Sequence, residues 1–353
     1  MAIACLPALE VPEYRFDEDS LEQTAKLFLG ETFPRLQTIL RMIKNAGVKQ
    51  RFLVQPIEET LKPDGIKHRN DLFIKTVKRL GEKAAQQALD NANLRPEDID
   101  YIITTSCTGF MIPSLDAYLI PKMGFRRDTK RLPITELGCA AGAVALSRAR
   151  EFCEVHPGKH VLIVAAELCS LTFQPQDLSM QALVSGLIFG DGVAACVVRG
   201  DEEESGMRLE KNASHLFDDS WNYMGFDLKD TGFHIILDRG IPGAVDKQIA
   251  PVLKNFVNQC NMDTNDLGFY CIHPGGRRVI DEIKNTFELE EDDVAASRAC
   301  LSEVGNLSSA SVLVVLKNLF ERFRPEANSR GLLAAFGPGF SAEMSVGTWH
   351  EKS

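Results

Sequence analysis

The sequence predicts an α/β fold with buried sheets, arranged as two halves, and three observations carry that prediction. Apolar, β-rich runs alternate with amphipathic helical patterns along the chain. Some of those runs, such as "HVLIVAAEL" at 160–168, are apolar almost throughout rather than at every second residue, the pattern of a strand covered on both faces. At 353 residues the chain also exceeds the size that one hydrophobic core usually supports.

The elements follow in order. Residues 74–94 form an amphipathic helix, and "DYIITTSC" at 100–107 follows as a strand. "RLPITEL" is a second strand, the Ala-rich segment after Cys139 a helix, and 160–168 a third strand. "IFGDGVAACVVRG" closes the first half, and the acidic, Gly-containing stretch "DEEESG" at 201–206 connects it to the second, giving halves of 1–205 and 206–353. The second half repeats the rhythm: a helix near 243–261, "DLGFYCIHPGG" as strand and turn, and a helix at 308–323. "LLAAFGPGFSAEMSVGTW" then reads as two strands joined by a Gly-Pro-Gly turn. Two similar halves fit an internal duplication, although no sequence repeat is strong enough to prove one.

Composition narrows the partners. With 44% apolar and 25% charged residues the chain is an ordinary folded protein, and its net charge of −10 argues against nucleic acid as a partner. Any anionic ligand must then be met by a local basic cluster. The nine cysteines are odd in number, scattered and without a CxxC pair, which fits neither a disulfide framework nor a metal site. The opening "MAIACLPALEVPEYRF" has neither a basic leader nor a long apolar run, so no membrane is expected and a reducing cytoplasm is the expected setting.

The chemistry centres on "LGCAAGAVAL". A strand delivers the chain to a tight Gly turn, and the following helix points its free N–H groups and positive dipole end at Cys139, a setting that favours thiolate. Packing is the plain alternative for any single cysteine. "CIHPGG" places His273, alone among seven histidines, at the end of an apolar run just before a turn. "SEVGNLSSASVLVVL" places Asn306 beside Gly305, just before a helix, where a cap is the ordinary reading. Together the three supply a nucleophile, a base and an oxyanion donor.

"GCAAG", "FGDG", "HPGG", "GNLSSA" and "FGPGF", in this order and at these separations, resemble the type III polyketide synthases, the chalcone-synthase-like branch of the thiolase superfamily. The resemblance runs from about residue 30 to the C-terminus. It implies a thiolase-like, five-layered αβαβα fold, a homodimer, and a triad of Cys139, His273 and Asn306 acting on CoA thioesters as substrates. It implies no cofactor, metal or carrier protein. Cys139 attacks as a thiolate paired with His273, and His273 and Asn306 stabilise the oxyanion and the enolate formed when malonyl-CoA loses CO2. Phe189 in "FGDG" and Phe233 in "TGFH" match the family's gatekeeper phenylalanines, and Gly337, Pro338 and Gly339 its cavity-shaping loop, here preceded by Ala335 instead of the usual glycine. "RMIKNAGVKQR" at 41–51 supplies Arg41, Lys44, Lys49 and Arg51, with Arg41 and then Lys44 the candidates for CoA phosphates. Ile112 is placed at the subunit interface.

Within the family, "SCTGFM", "MGFRRDT" and "ELCSL" resemble the bacterial tetrahydroxynaphthalene-forming branch, in which Cys107 is a second active-site cysteine. Tyr223, in "SWNYMGFDLKDTGFH", matches a tyrosine associated there with malonyl priming. The implied reaction is condensation of malonyl-CoA alone into a pentaketide that cyclises to 1,3,6,8-tetrahydroxynaphthalene, the precursor of flaviolin. The alternatives are an alkylpyrone or alkylresorcinol synthase primed by another acyl-CoA, a ketoacyl synthase working on a carrier protein, and a non-catalytic binding protein.

Overall fold

The computed structural model describes residues 1–238, 240–244 and 248–352. In the described residues the strands are, in chain order, β1 (Ile3–Ala4), β2 (Ala8–Glu10), β3 (Tyr14–Asp17), β4 (Gln50–Leu53), β5 (Ile99–Thr105), β6 (Lys130–Ile134) and β7 (His160–Leu168). There follow β8 (Asp191–Arg199), β9 (Gly206–Leu216), β10 (Met224–Lys229), β11 (Gly232–Leu237), β12 (Leu267–Ile272), β13 (Arg330–Gly337) and β14 (Ser341–His350). One continuous sheet runs β12-β13-β14-β9-β1-β8-β7-β5-β6, with β2 also beside β8. β5 pairs in parallel with both β6 and β7, and β12 with β13, whereas the joins between these blocks are antiparallel.

β1 holds the two blocks together. Ile3 pairs with Arg199 of β8 on one side and with Arg208 of β9 on the other. Without that two-residue strand the sheet would part between residues 199 and 206.

The sheet's side chains divide by period two, and the division produces five layers. From β7, Val161, Ile163 and Ala165 join one core, while Leu162, Val164, Ala166 and Leu168 join another. From β13, Leu333 and Ala335 enter the first of these, and Leu332, Ala334 and Phe336 enter a third. The shared core contains the helices Ala141–Val155 and Ser311–Glu321, sandwiched between the two blocks of strands. The helix Ile66–Asn91 covers one outer face, and the helices Ala250–Gln259 and Arg277–Thr286 cover the other. The result is helix, sheet, helix, sheet, helix.

The Ile66–Asn91 helix starts eight residues before its expected position, because buried Arg69 and Phe73 continue the inner face of Val77 and Leu80 toward the N-terminus. The helix expected near 243–261 is observed as Ala250–Gln259, and residues 245–247 lie outside the described set. Small residues let the central helices start close together: a Cβ on Gly142 would lie 2.1 Å from the Ser309 carbonyl oxygen. Trp349 anchors the far end of the shared core, fully buried with Phe320 at 4.7 Å and Phe269 at 5.8 Å between ring centroids. Trp349→Ala is expected to destabilise the fold by about 3–5 kcal/mol, read as a lower denaturation midpoint with an unchanged slope in urea.

Candidate active site

β6 ends at Ile134, and a single 3-10 turn, Gly138–Ala140, carries Cys139 into the helix Ala141–Val155. Gly138 holds φ at +48°, and a Cβ there would stand 2.6 Å from Pro338 Cδ, so both the backbone conformation and the packing require glycine. His273 leaves the end of β12 and is held against β13 by its N–H, which donates to the Ala334 carbonyl at 2.8 Å. Asn306 follows the helix Ala295–Val304 and is tied to the segment before β8. Its N–H donates to the Ile188 carbonyl at 2.9 Å, and its own carbonyl accepts from Gly190 N–H at 3.1 Å. Cys139, His273 and Asn306 are 5%, 1% and 2% exposed.

Contacts link Asn306 to Cys139 through Ser308, and Asn306 to the turn that follows His273. Asn306 Nδ2 lies 3.4 Å from the carbonyl oxygen of Gly275, two residues beyond His273. Asn306 Oδ1 accepts from Ser308 N–H at 2.8 Å and from Ser311 Oγ at 3.2 Å. The Cys139 thiol donates to Ser308 Oγ at 3.5 Å.

Burial is the largest electrostatic influence on both Cys139 and His273. Burial pushes the Cys139 thiol up to about 12, the bonds from Ser308 and Asn306 offsetting it only in part, and burial takes His273 down to about 3. Glu167 raises the thiol further. The His273 Nδ1 is buried without a partner. Because its folded value lies below the ordinary 6.5, the folded chain binds fewer protons here than the unfolded chain between about pH 6.5 and about pH 3. Acidification through that window therefore costs up to about 1.4 kcal/mol of stability per pH unit from this residue. His273→Gln should flatten the acid limb of stability against pH in urea titrations at pH 7 and pH 5.

Cys139 opens onto a cavity of about 410 Å³, within the range of small-molecule sites. Phe189 and Phe233 both line it, as do Cys107, Cys169, Ser308, Pro338 and Gly339. Gly337 lies behind the wall, where a Cβ would come 2.7 Å from Ala140 N and from the Leu137 carbonyl. Phe233 stacks on Phe226 and Phe110, with centroids 5.4 and 5.5 Å away.

Two features escaped the sequence reading. Ser308, at φ +48°, places its hydroxyl 3.3 Å from Cys107 Sγ as well as 3.5 Å from Cys139 Sγ, so one oxygen bridges two thiols. Glu167 is fully buried and accepts from Cys107 N–H at 3.1 Å, Thr108 Oγ1 at 2.9 Å and Ser309 Oγ at 2.5 Å. An acid within an otherwise apolar strand was the available signal.

Of the residues assigned from sequence, His273, Asn306, Tyr223, Arg41 and Lys44 do not line the cavity. Arg41 and Lys44 are exposed on the helix Leu36–Asn45, outside the lining, with Lys44 3.9 Å from Glu22. The cation that lines the cavity among the described residues is instead Arg51, 4% exposed and 5.6 Å from the Phe16 ring centroid. Tyr223 packs its ring 6.0 Å from Phe340, while Trp221, Met224 and Phe226 line the cavity nearby. It sits in the turn before β10, its N–H donating to the Ser220 carbonyl at 3.0 Å and its carbonyl accepting from Asp238 at 2.8 Å. Tyr223→Phe tests the assignment: loss of turnover with malonyl-CoA as sole substrate, with acyl-CoA priming spared, ties the hydroxyl to priming, and unchanged turnover leaves the ring to its packing on Phe340. Ile112 is 94% exposed.

All nine cysteines are free, and among the described residues no group of three or more His, Cys, Asp or Glu could hold a metal. Among those residues, too, no helix is long and apolar enough to cross a membrane.

Comparison with known proteins adds to this geometry. Residues 5–202 match the family described as chalcone and stilbene synthases, N-terminal domain, and residues 208–347 match the corresponding C-terminal domain. The chain is 44% identical over 350 residues to 1,3,6,8-tetrahydroxynaphthalene synthase of Streptomyces coelicolor, covering 99% of this chain and 92% of that protein. It is 40% identical over 352 residues to phloroglucinol synthase of Pseudomonas fluorescens, covering 99% of each. The crystal structure of the Streptomyces coelicolor tetrahydroxynaphthalene synthase, described as a bacterial type III polyketide synthase, superposes with a TM-score of 0.95 at 43% identity over 99% of both chains.

Proposed function

The chain belongs to the chalcone and stilbene synthase family, as a type III polyketide synthase with a thiolase-like fold, and from that premise we propose that it condenses malonyl-CoA alone into 1,3,6,8-tetrahydroxynaphthalene. The observation that carries this reading is the cavity itself. Cys139 opens into it, and Cys107 lines it at the position the sequence had assigned to the tetrahydroxynaphthalene-forming branch, in a chain 44% identical to such a synthase.

Each residue then has a task. Cys139 gives its proton to the neutral imidazole of His273, and the thiolate attacks the malonyl thioester, expelling CoA and forming an acyl-enzyme. Asn306, its Oδ1 fixed by Ser308 and Ser311, presents its N–H2 to the thioester oxygen as charge grows there, together with His273. A second malonyl-CoA loses CO2 at the same donors, and its enolate carbon attacks the Cys139 thioester. The chain lengthens by two carbons and returns to Cys139. Phe189 and Phe233 give the malonyl carboxylate an apolar surface, which favours departure of neutral CO2 over retention of a charge. Pro338 and Gly339 shape the space in which the pentaketide folds. No cofactor is needed beyond the CoA substrates.

The remaining assignments form part of the same proposal. The nucleophile belongs to an N-terminal half, 1–205, and the other two triad members to a C-terminal half, 206–353. The enzyme works as a cytoplasmic homodimer, with Ile112 at the interface. Arg41 and Lys44, on the outer helix face, meet CoA phosphates outside the cavity.

Incubation of the purified enzyme with malonyl-CoA as sole substrate, with products read by mass and ultraviolet spectrum, tests the reading. Flaviolin, from oxidation of the naphthol, is the expected product. Release of CO2 and acetyl-CoA alone would overturn malonyl priming and direct the search to an acyl-CoA starter, with an alkylpyrone or alkylresorcinol as product. Turnover only with malonyl on a carrier protein would point to a ketoacyl synthase.

A further inference from the structure

Among the described residues the β10–β11 hairpin is a separate two-stranded sheet, hydrogen-bonded to no strand of the central one. It nevertheless supplies Met224, Phe226, Phe233 and Ile235 to the cavity wall. A two-stranded ribbon is marginal on its own, so something outside it must set where those side chains stand. The outer edge of β11 meets two glutamine side chains in place of a strand. Gln174 Nε2 donates to the Phe233 carbonyl at 3.0 Å, and Leu237 N–H donates to Gln181 Oε1 at 3.5 Å. Between them, His234 Nδ1 lies 3.5 Å from Asp177.

Of these contacts the one at Gln174 is buried, the residue being 7% exposed. Its amide also donates to the Thr172 carbonyl at 3.4 Å, and Arg69 braces the same segment by donating to the Leu171 and Phe173 carbonyls. Gly232, at φ +125°, makes room for it: a Cβ there would lie 3.0 Å from Gln174 Nε2. Gln174 does not itself line the cavity. Its route to the chemistry therefore runs through the Phe233 backbone.

We propose that Gln174 is a positioning residue for decarboxylative condensation, holding the Phe233 backbone so that its ring faces the malonyl group. The inference rests on the reading of Phe233 as the apolar surface opposite the malonyl carboxylate. A misplacement of about 1 Å at a reacting centre can cost a hundredfold in rate, so a hydrogen bond that fixes one carbonyl is enough to matter.

The test measures CO2 release and product formation from malonyl-CoA for Gln174→Leu, Phe233→Ala and the double variant, with thermal melts alongside. Gln174→Leu is expected to lower kcat by about tenfold to a hundredfold with little change in KM. In the Phe233→Ala background the same change should cost nothing further, because both substitutions remove one interaction. Wild-type kcat in Gln174→Leu overturns the proposal, as do losses that multiply in the double variant. Full activity in Phe233→Ala alone overturns the gate reading instead, which separates the two failures. Should Gln174→Leu not fold, Gln174→Glu keeps the shape, removes the amide donor and is read in the same way.

Discussion

Cys139→Ala is expected to abolish polyketide formation, by roughly a thousandfold or more, because no acyl-enzyme can form without the sulfur. The same variant should still release CO2 from malonyl-CoA at a measurable rate, since the donors that stabilise the enolate, His273 and Asn306, are untouched. The check is intact-protein mass after exposure to malonyl-CoA, with product and CO2 assayed in parallel. The wild type should gain an acyl adduct and the variant none. Persistence of product would mean that another thiol carries the chain. Cys107 would be the first to test, because it shares Ser308 Oγ with Cys139 at 3.3 Å.

Asn306→Ala should cost about a hundredfold to a thousandfold in kcat, and unlike Cys139→Ala it should depress CO2 release and condensation together. The argument is orientation. With Oδ1 committed to Ser308 N–H and Ser311 Oγ, the N–H2 end is held in place before substrate arrives, so none of its alignment has to be bought during reaction. Asn306→Asp, which retains the acceptor and loses the donor, should be as poor as the alanine variant. A raised KM with unchanged kcat in either variant would assign Asn306 to ground-state binding only.

The three residues proposed as the triad stood out in the sequence because each sits where an element ends. Cys139 precedes a helix, His273 follows an apolar strand, and Asn306 lies in a Gly-led turn, and such exits put side chains into clefts. The strands were readable too, because those buried on both faces carry long apolar runs. Ser308 and Glu167 were harder, since their roles arise from contacts spanning 169 and 142 residues of chain, which no local pattern encodes. Tyr223 faces away from the cavity lining for a local reason. It stands one residue before β10 begins, and one residue of offset separates a side chain that lines the cavity from one packed on Phe340. The basic run at 41–51 shows the same limit: its charges look equivalent in the sequence, yet the fold buries Arg51 and leaves Arg41 in solvent. The Ile3–Ala4 strand left no legible mark, two residues being too few for any periodicity.

That short strand has a consequence for how the chain is made. During synthesis the N-terminus emerges first, but its second partner, beginning at Gly206, leaves the ribosome only after more than half of the protein has been built. Until then β8 has a partner in β1, and β1 has an open outer edge with nothing to pair against. The first segment translated is thus the one that must wait longest for its full complement of neighbours, and the growing chain carries an adhesive margin through that interval. Once β9 is in place the open edge passes to it, and β9 waits for β14 at Ser341–His350, so the growing sheet keeps an unpaired margin until almost the whole chain has been made.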